Sequence, residues 1–165
     1  MNPSPGVTVL VVDDDNVLLG RRAPGIGYVG GGGKWCLPGG HIEYGEDFLT
    51  AALRETQEET GVEVEVTGLL SVVSNFFEEQ GASTLAVVLL ASPVGGQPRP
   101  DGHETTEVAW FRHESLPELA FEADAHIVTR YFATRDSGAR VDPAFVRLEG
   151  RDPEYVPPPA SRRSR

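Results

Sequence analysis

The sequence has few of the residues that form covalent cross-links or attract polyanions. Among 165 residues there is one cysteine, Cys36, and one lysine, Lys34. A single cysteine excludes an internal disulfide and a metal site built from several thiolates, and it is compatible with the cytoplasm. Acidic residues outnumber basic ones by 25 to 14, giving a net charge of −11. This balance argues against general binding to nucleic acid or to an anionic membrane.

Long apolar segments are also missing. The longest lie at 7–12 and 85–91, far shorter than a bilayer crossing requires. The first residues lack the basic segment and apolar core of a secretory signal, so we expect none. We predict one globular domain over 1–135. The Arg, Asp and Pro content of 136–165 favours an extended or disordered tail.

The pattern of apolar residues predicts strands interrupted by two helices. Strands are expected within 7–22 on either side of a turn at 13–16, and at 35–38, 62–77, 84–91 and 108–111. The segment 23–34 contains six glycines, which is typical of a flexible loop. One helix should run from its N-cap Asp47 to Thr60 and stop at Gly61, after a turn at Gly39 and Gly40. A second is expected at Glu122–Thr134, so the whole pattern indicates an α/β fold with helices packed on a mixed β-sheet.

The first predicted helix carries three glutamates on one side: Glu55, Glu58 and Glu59. Two of them, Glu55 and Glu59, fall inside the apolar arc that should face the protein. That arc comprises Phe48, Leu49, Ala51, Ala52 and Leu53. Partly desolvated carboxylates at this spacing repel one another unless a cation neutralises them, and Mg²⁺ or Mn²⁺ prefers such oxygen ligands. The ordinary alternative is a charged, solvated helix face.

The segment 40–62 resembles the Nudix box, in which glycine, glutamate and arginine recur at fixed spacing. The matching residues are Gly40, Glu46, Arg54, Glu55, Glu58, Glu59, Gly61 and Val62. One residue departs from the pattern, Thr56 at an apolar position, where its methyl group can still pack. The strands on both sides are also similar, so the resemblance covers 7–134. It implies a mixed α/β/α sandwich.

The resemblance further implies metal-dependent hydrolysis of a nucleoside diphosphate linked to another group. The implied metal ligands are Glu55, Glu58, Glu59 and the carbonyl of Gly40. By the same resemblance, Glu46 and Arg54 form an ion pair that braces the loop–helix–loop, on the polar side of the helix. A carboxylate from a later loop, Glu104 or as second choice Glu107, accepts a proton or adds a ligand.

Other residues are candidates for substrate contact. Arg21 or Arg22 can bind phosphate through a charged fork, and the variable box position His41 can touch substrate. Trp35, Tyr28, Phe76 and Phe77 can stack on a base, although aromatic residues in strands are more often part of the core.

The predicted function is hydrolysis of ADP-ribose or a nucleotide sugar with Mg²⁺ or Mn²⁺. One alternative is a sanitising (deoxy)nucleoside triphosphate pyrophosphatase, and another is a non-catalytic nucleotide-binding sensor of the same fold. An isomerase acting on isoprenoid diphosphates shares the fold, but no second motif supports it. The expected partner is a small-molecule nucleotide, and family members are often homodimers.

Overall fold

A computed structural model describes residues 3–26, 31–77 and 81–137. Tyr28 and nearly all of the predicted tail lie outside these residues. The strands are β1 (Ser4–Asp13), β2 (Asn16–Arg22), β3 (Trp35–Cys36), β4 (Gly39–His41), β5 (Val62–Phe77), β6 (Ala82–Gly96) and β7 (Thr105–Arg112). The helices are α1 (Phe48–Thr60) and α2 (Glu122–Thr134), and short 3₁₀ turns cover His113–Ser115 and Arg135–Ser137. Neither α-helix of the described chain has the length and apolar run needed to cross a bilayer.

Strand β1 lies at the centre of a seven-stranded mixed sheet. The order along the main path is β3-β2-β1-β6-β5, while β4 pairs with β1 and β7 pairs with β2. Strand β1 runs parallel to β6 and antiparallel to β4, and it meets β2 only at the hairpin end, where Val12 faces Val17. The predicted mixed α/β fold is therefore confirmed.

The two helices cover opposite faces of the central strand. One apolar cluster joins Val9 and Val11 of β1 to Ala51 and Ala52 of α1. A second joins Leu10 of β1 to residues of α2 and β2. Successive side chains of a strand point to opposite faces, so the alternation along β1 separates the two cores. The architecture is the α/β/α sandwich expected from the sequence.

The ends of α1 agree with the prediction. The side chain of Asp47 accepts a hydrogen bond from the N–H of Thr50, which satisfies one of the free donors of the first turn. Gly61 has a φ of 69°, a left-handed conformation that costs glycine little, and its N–H closes the last turn on Gln57. The helix position that places the glutamates is thus fixed at both ends.

Two predictions about this region were wrong. Gly39 and Gly40 do not form a turn: they belong to β4 and pair with Thr8 and Val7 of β1. The apolar arc of α1 is also rotated, because Leu49 and Leu53 are exposed whereas Thr56 and Thr60 are fully buried. The helix packs through small residues, which allows it to approach the sheet closely and leaves the two leucines at the rim.

Strands β1, β6 and β7 are longer than expected, whereas β5 has the bounds that the sequence predicted. The 16-residue β5 pairs with β6 along its whole length, and β6 continues to Gly96. Strand β7 spans eight residues. In the second half of β5, Val72 and Phe76 are exposed, whereas Leu70 and Val73 pack against the second core.

We expect Thr56→Val to stabilise the protein. The hydroxyl of Thr56 is buried and has no hydrogen-bond partner among the residues that the structure describes, whereas valine has the same branched shape without the polar atom. The expected gain is about 1 kcal/mol, or about 2–4 °C in Tm by calorimetry. Thr60→Val is the matched control. The Thr60 hydroxyl donates to the carbonyl of Thr56 at 2.5 Å and accepts from the N–H of Val62 at 3.2 Å, so its loss should lower Tm. A lower Tm in both variants would contradict the interpretation of Thr56.

Candidate active site

Glu46 and Arg54 form the predicted ion pair. Arg54 Nε donates to Glu46 Oε1 at 2.7 Å and Nη2 donates to Oε2 at 2.9 Å, a two-pronged contact. The N–H of Glu43 also donates to Glu46 at 3.0 Å. Hydrogen bonding from Arg54 lowers the pKa of Glu46 to about 2, so this carboxylate is ionised throughout the neutral range. The pair ties the loop that precedes α1 to the second turn of the helix.

Arg54 does more than the sequence suggested. It was expected on the polar side, away from the metal-ligand candidates, but its Nη1 donates to Glu55 at 3.0 Å and to Glu58 at 3.2 Å. Its Nη2 also donates to the carbonyl of His41 at 3.1 Å. One guanidinium group therefore contacts three carboxylates and the end of β4. It offsets part of the negative charge that the helix brings together.

Glu59 is the most deeply placed of the three glutamates. Its Oε2 accepts a hydrogen bond from the N–H of Gly39 at 3.0 Å. Burial, together with smaller contributions from the charges of Glu55 and Glu104, raises the pKa of Glu59 to about 8, although the Gly39 N–H opposes the shift. In the metal-free protein this carboxyl group therefore keeps its proton at neutral pH.

Glu55 lies directly against the backbone of Gly40. A Cβ atom added to Gly40 would come within 2.4 Å of Glu55 Oε1 and within 2.7 Å of Oε2. The absence of a side chain at position 40 therefore makes the space that the carboxylate occupies. Burial raises the pKa of Glu55, although the adjacent Arg54 lowers it, and Glu58 adds a smaller rise.

The third glutamate is more open. The side chain of Glu58 is 58% exposed, and its contact is the one with Arg54. Within residues 3–26, 31–77 and 81–137, no three His, Cys, Asp or Glu side chains already converge as a metal site. The predicted ligands are thus neighbours on one helix face, with Arg54 between two of them. A hard divalent cation suits this set, because two of the carboxyl groups have raised pKa values and Gly40 leaves room beside them.

The two candidate bases, Glu104 in the loop before β7 and Glu107 in β7 itself, make different interactions. Glu104 acts electrostatically on both Glu55 and Glu59, and its charge raises their pKa values. Glu107 instead pairs with Arg21 Nη1 at 2.6 Å. The loop itself is held by Asp101, whose Oδ1 accepts three backbone N–H groups, those of residues 103, 104 and 105. Of the two candidate bases, Glu104 is therefore the one whose charge acts on the helix glutamates.

Arg21 and Arg22, the two arginines at the end of β2, make different contacts. Arg21 donates to the carbonyl of Gly33 at 2.8 Å in addition to its pair with Glu107. Arg22 lies over the ring of Phe121 at 5.1 Å, and its Nε is buried with no hydrogen-bond partner in the described part of the chain. None of these contacts of Arg21 and Arg22 involves one of the three helix glutamates.

The other residues predicted to contact substrate lie in different parts of the structure. Trp35 packs edge-on against Phe111, with ring centroids 4.8 Å apart, and belongs to the second core. His41 is exposed at the end of β4, next to Arg54. Phe76 is 76% exposed and lines a groove of about 1350 Å³ between the β5–β6 hairpin and α2, with Phe77. None of the three helix glutamates lines this groove.

Two acidic residues were missed by the sequence analysis. Asp124 is buried on the first turn of α2, and Leu37 donates its N–H to Asp124 Oδ2 at 3.0 Å. A signal for it existed, because Asp124 lies three and four residues before the buried Ile127 and Val128 and so falls on the packing face. Asp101 had no such signal, since its role depends on the fold of its loop.

The chain is similar in sequence to a known domain family and to several known proteins. The model for the NUDIX domain matches residues 2–132. The ADP-ribose pyrophosphatase of Methanocaldococcus jannaschii is 30% identical over 122 residues, covering 74% of this chain and 69% of that protein. Human 8-oxo-dGDP phosphatase NUDT18 is 40% identical over 88 residues, covering 52% of this chain and only 26% of that protein.

Solved structures agree on the fold. The crystal structure of a NUDIX hydrolase from Nitrosomonas europaea superimposes with a TM-score of 0.71 at 30% identity, covering 84% of this chain and 74% of that one. Nudix hydrolases act on pyrophosphate bonds of nucleotide derivatives and generally use divalent metal ions. The chain belongs to the Nudix hydrolase family.

Proposed function

We propose that this chain hydrolyses the pyrophosphate bond of a nucleoside diphosphate linked to another group, with ADP-ribose or a nucleotide sugar as the preferred substrate. The observation that carries the proposal is the pairing of two partly buried carboxyl groups with two consecutive glycines: Glu59 with Gly39, and Glu55 with Gly40. A solvated helix face would not place glutamates in such contacts. The arrangement suits oxygen-based binding of a cation beside an open backbone surface.

In this proposal Glu55, Glu58, Glu59 and the carbonyl of Gly40 hold Mg²⁺ or Mn²⁺. When bound, the cation supplies charge neutralisation for the diphosphate and lowers the pKa of a water molecule. The residues of the chain prepare the site. Glu46 fixes Arg54, and Arg54 orients Glu55 and Glu58 through its Nη1 group. Arg21 or Arg22, at the end of β2, and the exposed His41 contact the substrate.

Glu104 is the proposed proton acceptor, because its charge acts on Glu55 and Glu59 and it has no ion-pair partner of its own among the described residues. We expect Glu104→Gln to lower kcat by at least about 100-fold, the usual size of general-base catalysis. Glu107→Gln is the matched control on the same strand region, and its loss of the Arg21 pair should change kcat by less than about threefold. Steady-state kinetics of both variants test the assignment, and equal losses would contradict it.

The substrate preference is supported by the ADP-ribose pyrophosphatase relative, which the chain covers over most of its length. A second candidate has its own support: the relation to 8-oxo-dGDP phosphatase NUDT18 favours a sanitising activity on (deoxy)nucleotides, including triphosphates. We place ADP-ribose first because NUDT18 is matched over only a quarter of its length.

A substrate panel with Mg²⁺ decides between them. ADP-ribose, UDP-glucose, a dinucleotide, dGTP, 8-oxo-dGTP and 8-oxo-dGDP are compared at equal concentration, with metal omission as the control. The expected result is metal-dependent release of AMP from ADP-ribose at the highest kcat/KM. Faster cleavage of the nucleoside di- or triphosphates, with ADP-ribose left intact, would reverse the order. Binding of nucleotides without turnover of any would favour the sensor alternative.

A further inference from the structure

Asp124 is a buried carboxyl group that the proposed chemistry does not use. It lies on the first turn of α2 and is 5% exposed. Burial raises its pKa to about 7, while the N–H of Leu37 and the charge of Arg22 oppose the rise. Burying an ionisable group with so few partners costs stability, and packing alone does not account for an aspartate at this position.

That contact fixes a short connection in the backbone. Leu37 and Pro38 join β3 to β4, and both are buried. Pro38 has no N–H to donate, and its carbonyl accepts the N–H of Val9 at 2.8 Å. The N–H of Leu37 is therefore the one backbone donor of this connection, and Asp124 Oδ2 accepts it at 3.0 Å. The carboxyl group links the start of α2 to a segment 87 residues away in sequence.

The connection leads directly into the candidate site. Gly39, two residues after Leu37, donates its N–H to Glu59, and Gly40 leaves the space for Glu55. A shift of the Leu37–Pro38 connection would be passed directly to Gly39, the next residue, and through it to Gly40. Misplacement of about 1 Å can cost about 100-fold in rate.

We propose that Asp124 is a positioning residue, which holds the start of β4 so that Gly39 and Gly40 meet Glu59 and Glu55. Its effect on catalysis rests on the proposed function, whereas its effect on the Gly39 contact does not. What matters is a hydrogen-bond acceptor at this position rather than a negative charge. An amide side chain should therefore replace the carboxyl group, and a methyl group should not.

The test compares Asp124→Asn and Asp124→Ala with Val128→Ala in the full chain. Val128 is buried on the same helix and in the same apolar cluster as Leu37, so its truncation weakens the packing of α2 while the donor and acceptor of the Leu37–Asp124 hydrogen bond both remain. Two readouts are used. One is the amide-proton chemical shift of Gly39 in ¹⁵N-labelled, metal-free protein, which reports its hydrogen bond to Glu59. The other is kcat and KM with Mg²⁺ and the best substrate of the panel.

Asp124→Asn is expected to keep the Gly39 shift and a kcat within about threefold of the wild type. Asp124→Ala should move the Gly39 resonance upfield and lower kcat by at least about 30-fold, with KM changed by less than about threefold. Val128→Ala should lose a similar amount of Tm but keep both readouts.

An unchanged Gly39 resonance in Asp124→Ala, or an equal change in Val128→Ala, would overturn the proposal. If Asp124→Ala fails to fold, a folded Asp124→Asn that loses the shift or the activity overturns it alone, and one that keeps both supports it. If the wild type cleaves no substrate, the proposed function fails, and the Gly39 shift still decides whether Asp124 positions β4.

Discussion

Replacing Glu59 with glutamine is expected to lower kcat/KM by at least about 100-fold while making the metal-free protein more stable at alkaline pH. Glutamine keeps an oxygen that can accept the N–H of Gly39, so the fold is preserved. It removes the charge that a divalent cation requires. Steady-state kinetics with Mg²⁺ and calorimetry in the presence of a chelator measure the two effects.

The sign of the stability effect follows from the pKa of Glu59. In the unfolded chain this group ionises near 4.5, whereas in the folded, metal-free protein it keeps its proton up to about pH 8. The free energy of unfolding therefore falls as the pH rises from about 4.5 to about 8, because folding must then return a proton to a group that is ionised in the unfolded chain. Glu59→Gln should match the wild type at pH 5 and exceed its Tm at pH 9 by about 3 °C or more.

Glu58→Gln is the matched control for this prediction. Glu58 lies on the same helix face, one residue away, but its side chain is largely exposed. As a proposed metal ligand it should also lose activity, yet the pH dependence of its Tm should follow the wild type. A Tm for Glu59→Gln below the wild type at both pH values would show that its carboxylate stabilises the metal-free fold, contrary to this account.

Gly40→Ala is expected to lower kcat/KM by about 10- to 100-fold with a small loss of stability. The new Cβ would come within 2.4 Å of a Glu55 carboxylate oxygen, so that carboxylate must move. The atom displaced is the end of a side chain rather than backbone, and the protein should still fold. Kinetics at several Mg²⁺ concentrations should show a higher metal requirement, because a displaced ligand binds the cation less well.

Gly68→Ala provides the control. Gly68 lies in β5, and an added Cβ there meets no atom within 4 Å. It should leave kcat/KM unchanged within about twofold and keep the same metal requirement. Full activity in Gly40→Ala would mean that Glu55 does not need its place against the Gly40 backbone, and its role as a metal ligand would have to be abandoned.

The sequence predicted those parts of the fold that depend on local chemistry. The Asp47 N-cap and the Gly61 stop fixed α1, because both act through backbone groups within one turn. Apolar runs bounded by turn residues located β1, β2 and most of β6. The rotation of α1 was not predictable in detail, since Leu49 and Leu53 are more apolar than Thr56 and Thr60 but are less buried. The sheet accepts the smaller side chains at that position.

The candidate site was predicted as a set of residues but not as a set of contacts. The box spacing identified Glu46 and Arg54 as partners, and the structure joins them. The spacing could not indicate that Arg54 also contacts Glu55 and Glu58, because those contacts depend on the conformation of a long side chain. The contact of Gly39 with Glu59 depends on β4, which the sequence presented as a turn.

Direct binding of Mn²⁺ is the measurement that tests the central claim most directly. Electron paramagnetic resonance or titration calorimetry at pH 7.5 should show binding to the wild type with release of protons, because Glu59 is still largely protonated at that pH in the metal-free protein. Glu55→Gln and Glu59→Gln should each weaken binding by at least about tenfold, and Glu59→Gln should also abolish most of the proton release. Equal Mn²⁺ affinity in the wild type and both variants would contradict the assignment of this helix face as the metal site.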